Sequence, residues 1–182
     1  AISAEVVRRR LGDFNPQDLS NTAWAFAKAG HASSELFRAI SAEVVRRRLA
    51  DFNPQDLSNT AWAFAKAGHA SSELFKAISA EVVRRRLGDF NPQDLSNTAW
   101  AFAKAGHASS ELFRAISAEV VRRRLADFNP QDLSNTAWAF AKAGHASSEL
   151  FKAISAEVVR RRLGDFNPQD LSNTAWAFAK AG

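Results

Sequence analysis

The sequence contains no cysteine, no methionine and no tyrosine. Without thiols there is no disulfide framework and no thiolate-ligated metal. No stretch approaches 18 consecutive apolar residues, so no helical membrane span is expected. No signal or transit segment is legible ahead of the first helical pattern. Charge of one sign is also scarce: 24 Lys and Arg stand against 19 Asp and Glu, a net charge of +5. That is a mild basic bias, not the dense field of a protein that binds polyanions by charge alone.

What is present is repetition. Ala-Ile-Ser-Ala-Glu-Val-Val-Arg-Arg-Arg-Leu begins at Ala1 and recurs at Ala39, Ala77, Ala115 and Ala153. Phe-Asn-Pro-Gln-Asp-Leu-Ser-Asn-Thr-Ala-Trp-Ala-Phe-Ala-Lys-Ala-Gly begins at Phe14 and recurs at Phe52, Phe90, Phe128 and Phe166. The period is 38, and the 182 residues are four periods plus 30 residues. A fixed period of this length is the signature of a solenoid or repeat array. Gly12, Ala50, Gly88, Ala126 and Gly164 alternate, as do Arg38, Lys76, Arg114 and Lys152. Natural arrays drift by substitution, so this clean alternation reads as a consensus-type, designed array, with a very recent duplication as the alternative.

Each unit spells two helices. Asn15 is placed to cap the first, with Pro16 at its first position and Asp18 near its positive end. The pattern runs to Ala29 and stops at Gly30, a left-handed terminator. These A-helices are predicted over 16–29, 54–67, 92–105, 130–143 and 168–181. Ser33 is the next N-cap, Glu35 lies in the first turn, and Arg46, Arg47 and Arg48 crowd the last. These B-helices are predicted over 2–11, 34–49, 72–87, 110–125 and 148–163. Leu19, Ala23 and Phe26 share one face of the A-helix. On the B-helix, Leu36, Phe37, Ile40 and Val44 form a broad face, with Ala42, Val45 and Leu49 on another side. A lone hairpin cannot bury both sets, whereas stacked hairpins can. The expected fold is therefore all-α: a single α-α superhelical solenoid of antiparallel two-helix repeats across 1–182. The alanine-rich A-helices should pack more closely and form the concave side.

The 38-residue unit, and above all Phe14–Gly30 with its Pro-Gln-Asp-Leu start and Trp-Ala-x-Ala-Lys-x-Gly end, resembles the octotricopeptide repeat family. The resemblance implies a right-handed superhelix, by analogy with the related tetratricopeptide and pentatricopeptide arrays. It also implies sequence-specific binding of single-stranded RNA in algal chloroplasts and mitochondria, one nucleotide per repeat. Members vary from repeat to repeat and often carry a further C-terminal domain. Here the repeats are identical, so the expected target is a homopolymer tract.

The candidate binding stripe on each A-helix is spaced four, three and four: Gln17, Asn21, Trp24 and Lys28. Its polar and basic members recur as Gln55, Asn59 and Lys66; Gln93, Asn97 and Lys104; Gln131, Asn135 and Lys142; and Gln169, Asn173 and Lys180. Ser20, Asn21 and Thr22 are poor helix formers in mid-helix, where Ala is the stable choice. Planar amides can read base edges and a lysine can meet phosphate, and repeat RNA readers use two or three side chains per base. The competing expectation is an asparagine ladder, each Asn21 equivalent bonding its neighbour. Trp24 reads as core between repeats more than as a stacking surface for bases. Arg46, Arg47 and Arg48 point about 100° apart, so they read as helix termination on a solvated convex surface. Asp13 and Asp18 read as caps. His31, His69, His107 and His145 sit a repeat apart, too far to share a metal, and read as turn residues.

No nucleophile, base and orienting group converge, and no phosphate-cradling loop or metal-ligand spacing is seen. A binding or structural protein is expected rather than an enzyme, with no cofactor and no membrane partner. A consensus scaffold or a protein-binding solenoid without RNA affinity is the rival reading. The apolar faces at both ends predict head-to-tail self-association, because solenoids ordinarily carry polar capping repeats.

Overall fold

The computed structural model describes residues 11–31 and 33–182. These contain nine α-helices and no strand. The A-helices are α1 (Pro16–Lys28), α3 (Pro54–Ala67), α5 (Pro92–Ala105), α7 (Pro130–Lys142) and α9 (Pro168–Ala181). The B-helices are α2 (Ser34–Arg46), α4 (Ser72–Arg84), α6 (Ser110–Arg122) and α8 (Ser148–Arg160). The B-helix expected over 2–11 lies outside the described residues except for Leu11, which opens a 3-10 turn at Leu11–Asp13.

Four of the five A-helices begin with a reciprocal cap, and α9 keeps only its Asp170 N–H to Asn167 Oδ1 half. The Asp18 N–H donates to Asn15 Oδ1 at 2.8 Å, and the Asn15 N–H donates to Asp18 Oδ2 at 2.9 Å. The same box closes α3, α5 and α7. It satisfies donors that a helix start otherwise leaves unpaired. At the far end, Gly68 sits at φ 73° and Gly106 at φ 72°. The His69 and His107 N–H groups reach back to the Phe64 and Phe102 carbonyls, a six-residue closure that requires the left-handed residue between.

The B-helices end earlier than predicted. Arg47 leaves helical backbone at φ −87°, ψ 163°, so α2 stops at Arg46, and a separate 3-10 turn follows at Leu49–Asp51. Leu49 continued the helical apolar period, but it is buried by the turn and not by the helix.

Consecutive A-helices lie flank to flank with their backbones close, while consecutive B-helices touch much less. Alanine makes the close approach feasible: Ala61, Ala63, Ala99, Ala101, Ala137 and Ala139 are fully buried. Because one layer is spaced more tightly than the other, the array curves toward its A-helices. Between the layers runs one continuous core of Leu19, Leu36, Phe37, Ile40 and Val44 and their equivalents. The Phe37 and Phe64 rings meet edge to face at 4.9 Å, and this pairing recurs at Phe75–Phe102 and Phe113–Phe140. The architecture is a helical solenoid whose repeats contact chiefly their neighbours.

Candidate functional site

The stripe on the A-helices is built by subtraction. Of the three polar residues in mid-helix, two are consumed by structure. Thr22 Oγ1 donates to the Asp18 carbonyl at 2.7 Å, one turn back. Ser20 Oγ lies 3.1 Å from the Gln17 carbonyl and 3.1 Å from Oδ1 of Asp56, in the next repeat. Ser58–Asp94, Ser96–Asp132 and Ser134–Asp170 repeat that contact at 3.0, 3.0 and 3.2 Å, all buried. Asp56 thus caps its own helix with one oxygen and accepts from the preceding repeat with the other. A polar ladder exists, but serine and aspartate form it.

The expected asparagine ladder is not what the described residues show. No hydrogen bond joins one Asn21 equivalent to the next, and the single side-chain bond recorded for the row is internal to α9, Gln169 Nε2 to Asn173 Oδ1 at 3.0 Å. Asn59, Asn97, Asn135 and Asn173 are half-buried, whereas Asn21 is exposed. Gln17, Gln55, Gln93, Gln131 and Gln169 are exposed, as are Lys28, Lys66, Lys104, Lys142 and Lys180.

A groove of about 350 Å³ crosses four A-helices on this face. Trp24, Lys28, Trp62 and Lys66 line it from α1 and α3, and Gln93, Asn97 and Gln131 from α5 and α7. Residues chosen from sequence are therefore brought together across repeats. The tryptophans are in it too, beyond the core role expected of them. They do pack between repeats, with successive ring centroids 6.1–6.4 Å apart and planes tilted by 30–37°. Trp24 and Trp62 line the groove as well. Lys28 Nζ rests 4.6 Å from the Trp24 ring centre, a cation–π contact.

Two further readings are corrected. The three arginines do not all serve a solvated convex surface. Arg85 and Arg123 are largely buried: their Nη2 groups donate to the Leu49 and Ala50 carbonyls at 2.7 and 3.0 Å, and to those of Leu87 and Gly88 at 2.8 and 2.9 Å. Arg47 and Arg161 hold the Leu11 and Leu125 turns likewise. The middle arginine is a clasp between repeats, oriented by Glu43, Glu81, Glu119 or Glu157 of its own helix. Only the outer arginines face solvent. The histidines do more than fill turns, since His69, His107 and His145 lie 5.1 Å from the Phe37, Phe75 and Phe113 rings of the preceding B-helix.

Titration follows these contacts. Hydrogen bonds from Arg46 and Arg160 hold Glu43 and Glu157 below their ordinary 4.5. At Glu81 and Glu119 burial is the largest influence and pushes upward, but the two guanidiniums beside each outweigh it, and these carboxyls are lowered as well. Burial raises Asp94 and Asp132 above the ordinary 3.8, against the pull of the Asn91 and Asn129 N–H groups and the serine hydroxyls. Among the described residues, no three His, Cys, Asp or Glu side chains gather to hold a metal. Among them, too, no helix is long and apolar enough to cross a membrane.

The fold and this groove define a helical-repeat solenoid with a polar, tryptophan-edged inner face. The chain belongs to the family described as the Tbc2 translation factor, N-terminal domain, which matches residues 3–99 and again 69–181. No curated protein matches it.

Proposed function

We propose that this chain binds single-stranded RNA along its A-helix groove, in the manner of an octotricopeptide-type array, at about one nucleotide per repeat. The observation that carries this reading is the convergence of Gln93, Asn97, Gln131, Lys28 and Lys66 with two tryptophans in one groove that spans four repeats. Membership of a family named for a translation factor supports an RNA-related role. So does the subtraction on the A-helix: Ser20 and Thr22 have structural partners, and Asn21 is left with an amide free to meet a base edge. Identical repeats present identical amides, so the favoured ligand is a homopolymer. The reading is of a binding protein and not an enzyme.

The test is fluorescence anisotropy with labelled ten-nucleotide A, C, G and U homopolymers at low and moderate salt. A tenfold or greater preference for one base is expected, and it should vanish when Asn21, Asn59, Asn97, Asn135 and Asn173 all become Ala. Equal weak binding to all four that collapses with salt would reduce the reading to charge attraction. Binding to none would assign the chain to the scaffold class.

A second proposal rests on the last repeat. Leu163 is 56 % and Leu171 38 % exposed, while their equivalents Leu125 and Leu133 are 7 % and 1 % exposed under the following repeat. We propose that the 182 residues, produced alone, stack head to tail, with Ser172 meeting Asp18 of a second copy as Ser134 meets Asp170. Light scattering from micromolar to millimolar concentration should show growing mass. A strictly monomeric species throughout removes the proposal.

A further inference from the structure

The tryptophan row contains a set of donors that the fold does not use. Trp24, Trp62, Trp100 and Trp138 are partly buried and packed against the core. None of their indole N–H groups donates to an atom of the described chain, yet no buried side-chain nitrogen is without a partner. These N–H groups therefore open to solvent. A buried indole ordinarily finds an acceptor for its N–H, and here the whole row is left free, one donor per repeat.

The rings themselves are poorly placed to sandwich bases. Successive centroids at 6.1–6.4 Å lie within the range of direct ring-to-ring contact, about 4.5–7 Å. Each ring thus has a neighbouring ring against it, and the edge is what remains for a ligand. A cation stands on the Trp24 ring as well: Lys28 Nζ lies over its face, and Lys28 and Lys66 line the same groove as Trp24 and Trp62. Trp24 and Lys28 follow Gln17 and Asn21 by seven residues each, about 10 Å along a helix rising 1.5 Å per residue. On the inner face each A-helix accordingly carries its amides toward one end and its indole and ammonium toward the other, and the groove takes its tryptophans and lysines from α1 and α3 and its amides from α5 and α7.

We propose that the indole N–H groups of Trp24, Trp62, Trp100, Trp138 and Trp176, each with the lysine four residues on, form a track for the phosphates of the bound strand. The bases then lie toward the glutamines and asparagines. This inference rests on the RNA-binding reading and adds the orientation of the strand and a second set of binding residues. A neutral N–H beside an ammonium suits an anionic oxygen, because charge-assisted hydrogen bonds are the stronger ones. Phosphate contacts position a strand without reading its sequence.

Two measurements test the proposal. In ¹⁵N–¹H spectra of the full chain, the indole cross-peaks should move on titration with an abasic ten-unit deoxyribose-phosphate strand, and to the same positions with the preferred RNA homopolymer. Replacing Trp62→Phe, Trp100→Phe and Trp138→Phe together keeps the rings and deletes the donors. Affinity should fall tenfold or more for all four homopolymers alike. Indoles that respond to RNA but not to the abasic strand would mean base contact and overturn the phosphate assignment, as would a base-selective loss in the triple variant or no loss at all. If the triple variant fails to fold, the spectra of the unmodified chain decide alone. A chain that binds no homopolymer removes the RNA reading itself, whereas RNA binding with unmoved indoles removes only this inference.

Discussion

Asp94 is shared between two repeats. One oxygen accepts from the Asn91 N–H and the other from Ser58 of the preceding repeat, in surroundings dry enough to lift its pKa. Arg85 is its counterpart on the other layer, joined to Glu81 and to two turn carbonyls at once. A lysine has no planar fork and cannot serve all three partners. Arg85→Lys is expected to cost about 1.5–3 kcal/mol, the range for charge-assisted hydrogen bonds, while Arg86→Lys, at an exposed position, should change stability by less than about 0.5 kcal/mol. Urea unfolding midpoints of the two variants check this. Glycines divide in the same way. Gly106 is held at φ 72°, where a Cβ costs about 1–2 kcal/mol, so Gly106→Ala should destabilise. At Gly88 a Cβ would meet only Arg122 Nη2, at 3.7 Å. Gly88→Ala should therefore stabilise by about 0.4–1 kcal/mol through the unfolded chain, as thermal melts would show. That space also explains why Gly and Ala alternate freely at this position.

At the scale of the element, the B-helix end carries the pH dependence. Glu43, Glu81, Glu119 and Glu157 have pKa values lowered in the folded chain. The unfolded chain then binds protons more readily, so their contribution is complete above 4.5 and is lost as pH falls through the folded values. Asp94 and Asp132 have the opposite sign. Their raised values mean the native state holds the proton more tightly, so their ionisation weakens the fold as pH rises from 3.8 through the raised values. Replacing Glu81→Gln and Glu119→Gln should lower stability near neutrality. The gap from the parent chain should narrow between about pH 5 and pH 3, as denaturation midpoints across that range would show. A constant gap would mean the glutamates act by packing and not by charge.

For the whole molecule, curvature follows from two unequal layer spacings, and the groove follows from curvature. Side chains four residues apart on one helix, and 38 apart in sequence, come to share a single trough. If five lysines each meet one phosphate, log affinity should fall with log salt at a slope of about −3.5, at about −0.7 per contact on a single strand. Replacing all five with Ala should flatten that slope without changing base preference. Anisotropy at several salt concentrations measures both.

The repeat period of 38, the A-helix starts at Asn-Pro, their glycine stops and the apolar faces of both helices were all legible in sequence, because caps and periodicity are local. The amide and lysine stripe was legible for the same reason, since residues spaced four, three and four share a helix face. What lay beyond sequence was every contact between repeats. Local capping accounts for Asp18 fully, so nothing in the pattern signals that its equivalents also accept from a serine one repeat before. The three consecutive arginines look alike until the turn carbonyls of the preceding repeat are brought to the middle one. Tryptophan at helical spacing reads as core, and only stacking showed that Trp24 and Trp62 pack ring against ring and still line the groove. Sequence by itself determined the helices and the need to stack them; the tertiary structure decided which polar groups stacking consumes and which it leaves free. The physical reason is that hydrogen-bond partners 35 and 36 residues apart are set by how close the layers approach, a distance that no single helix encodes.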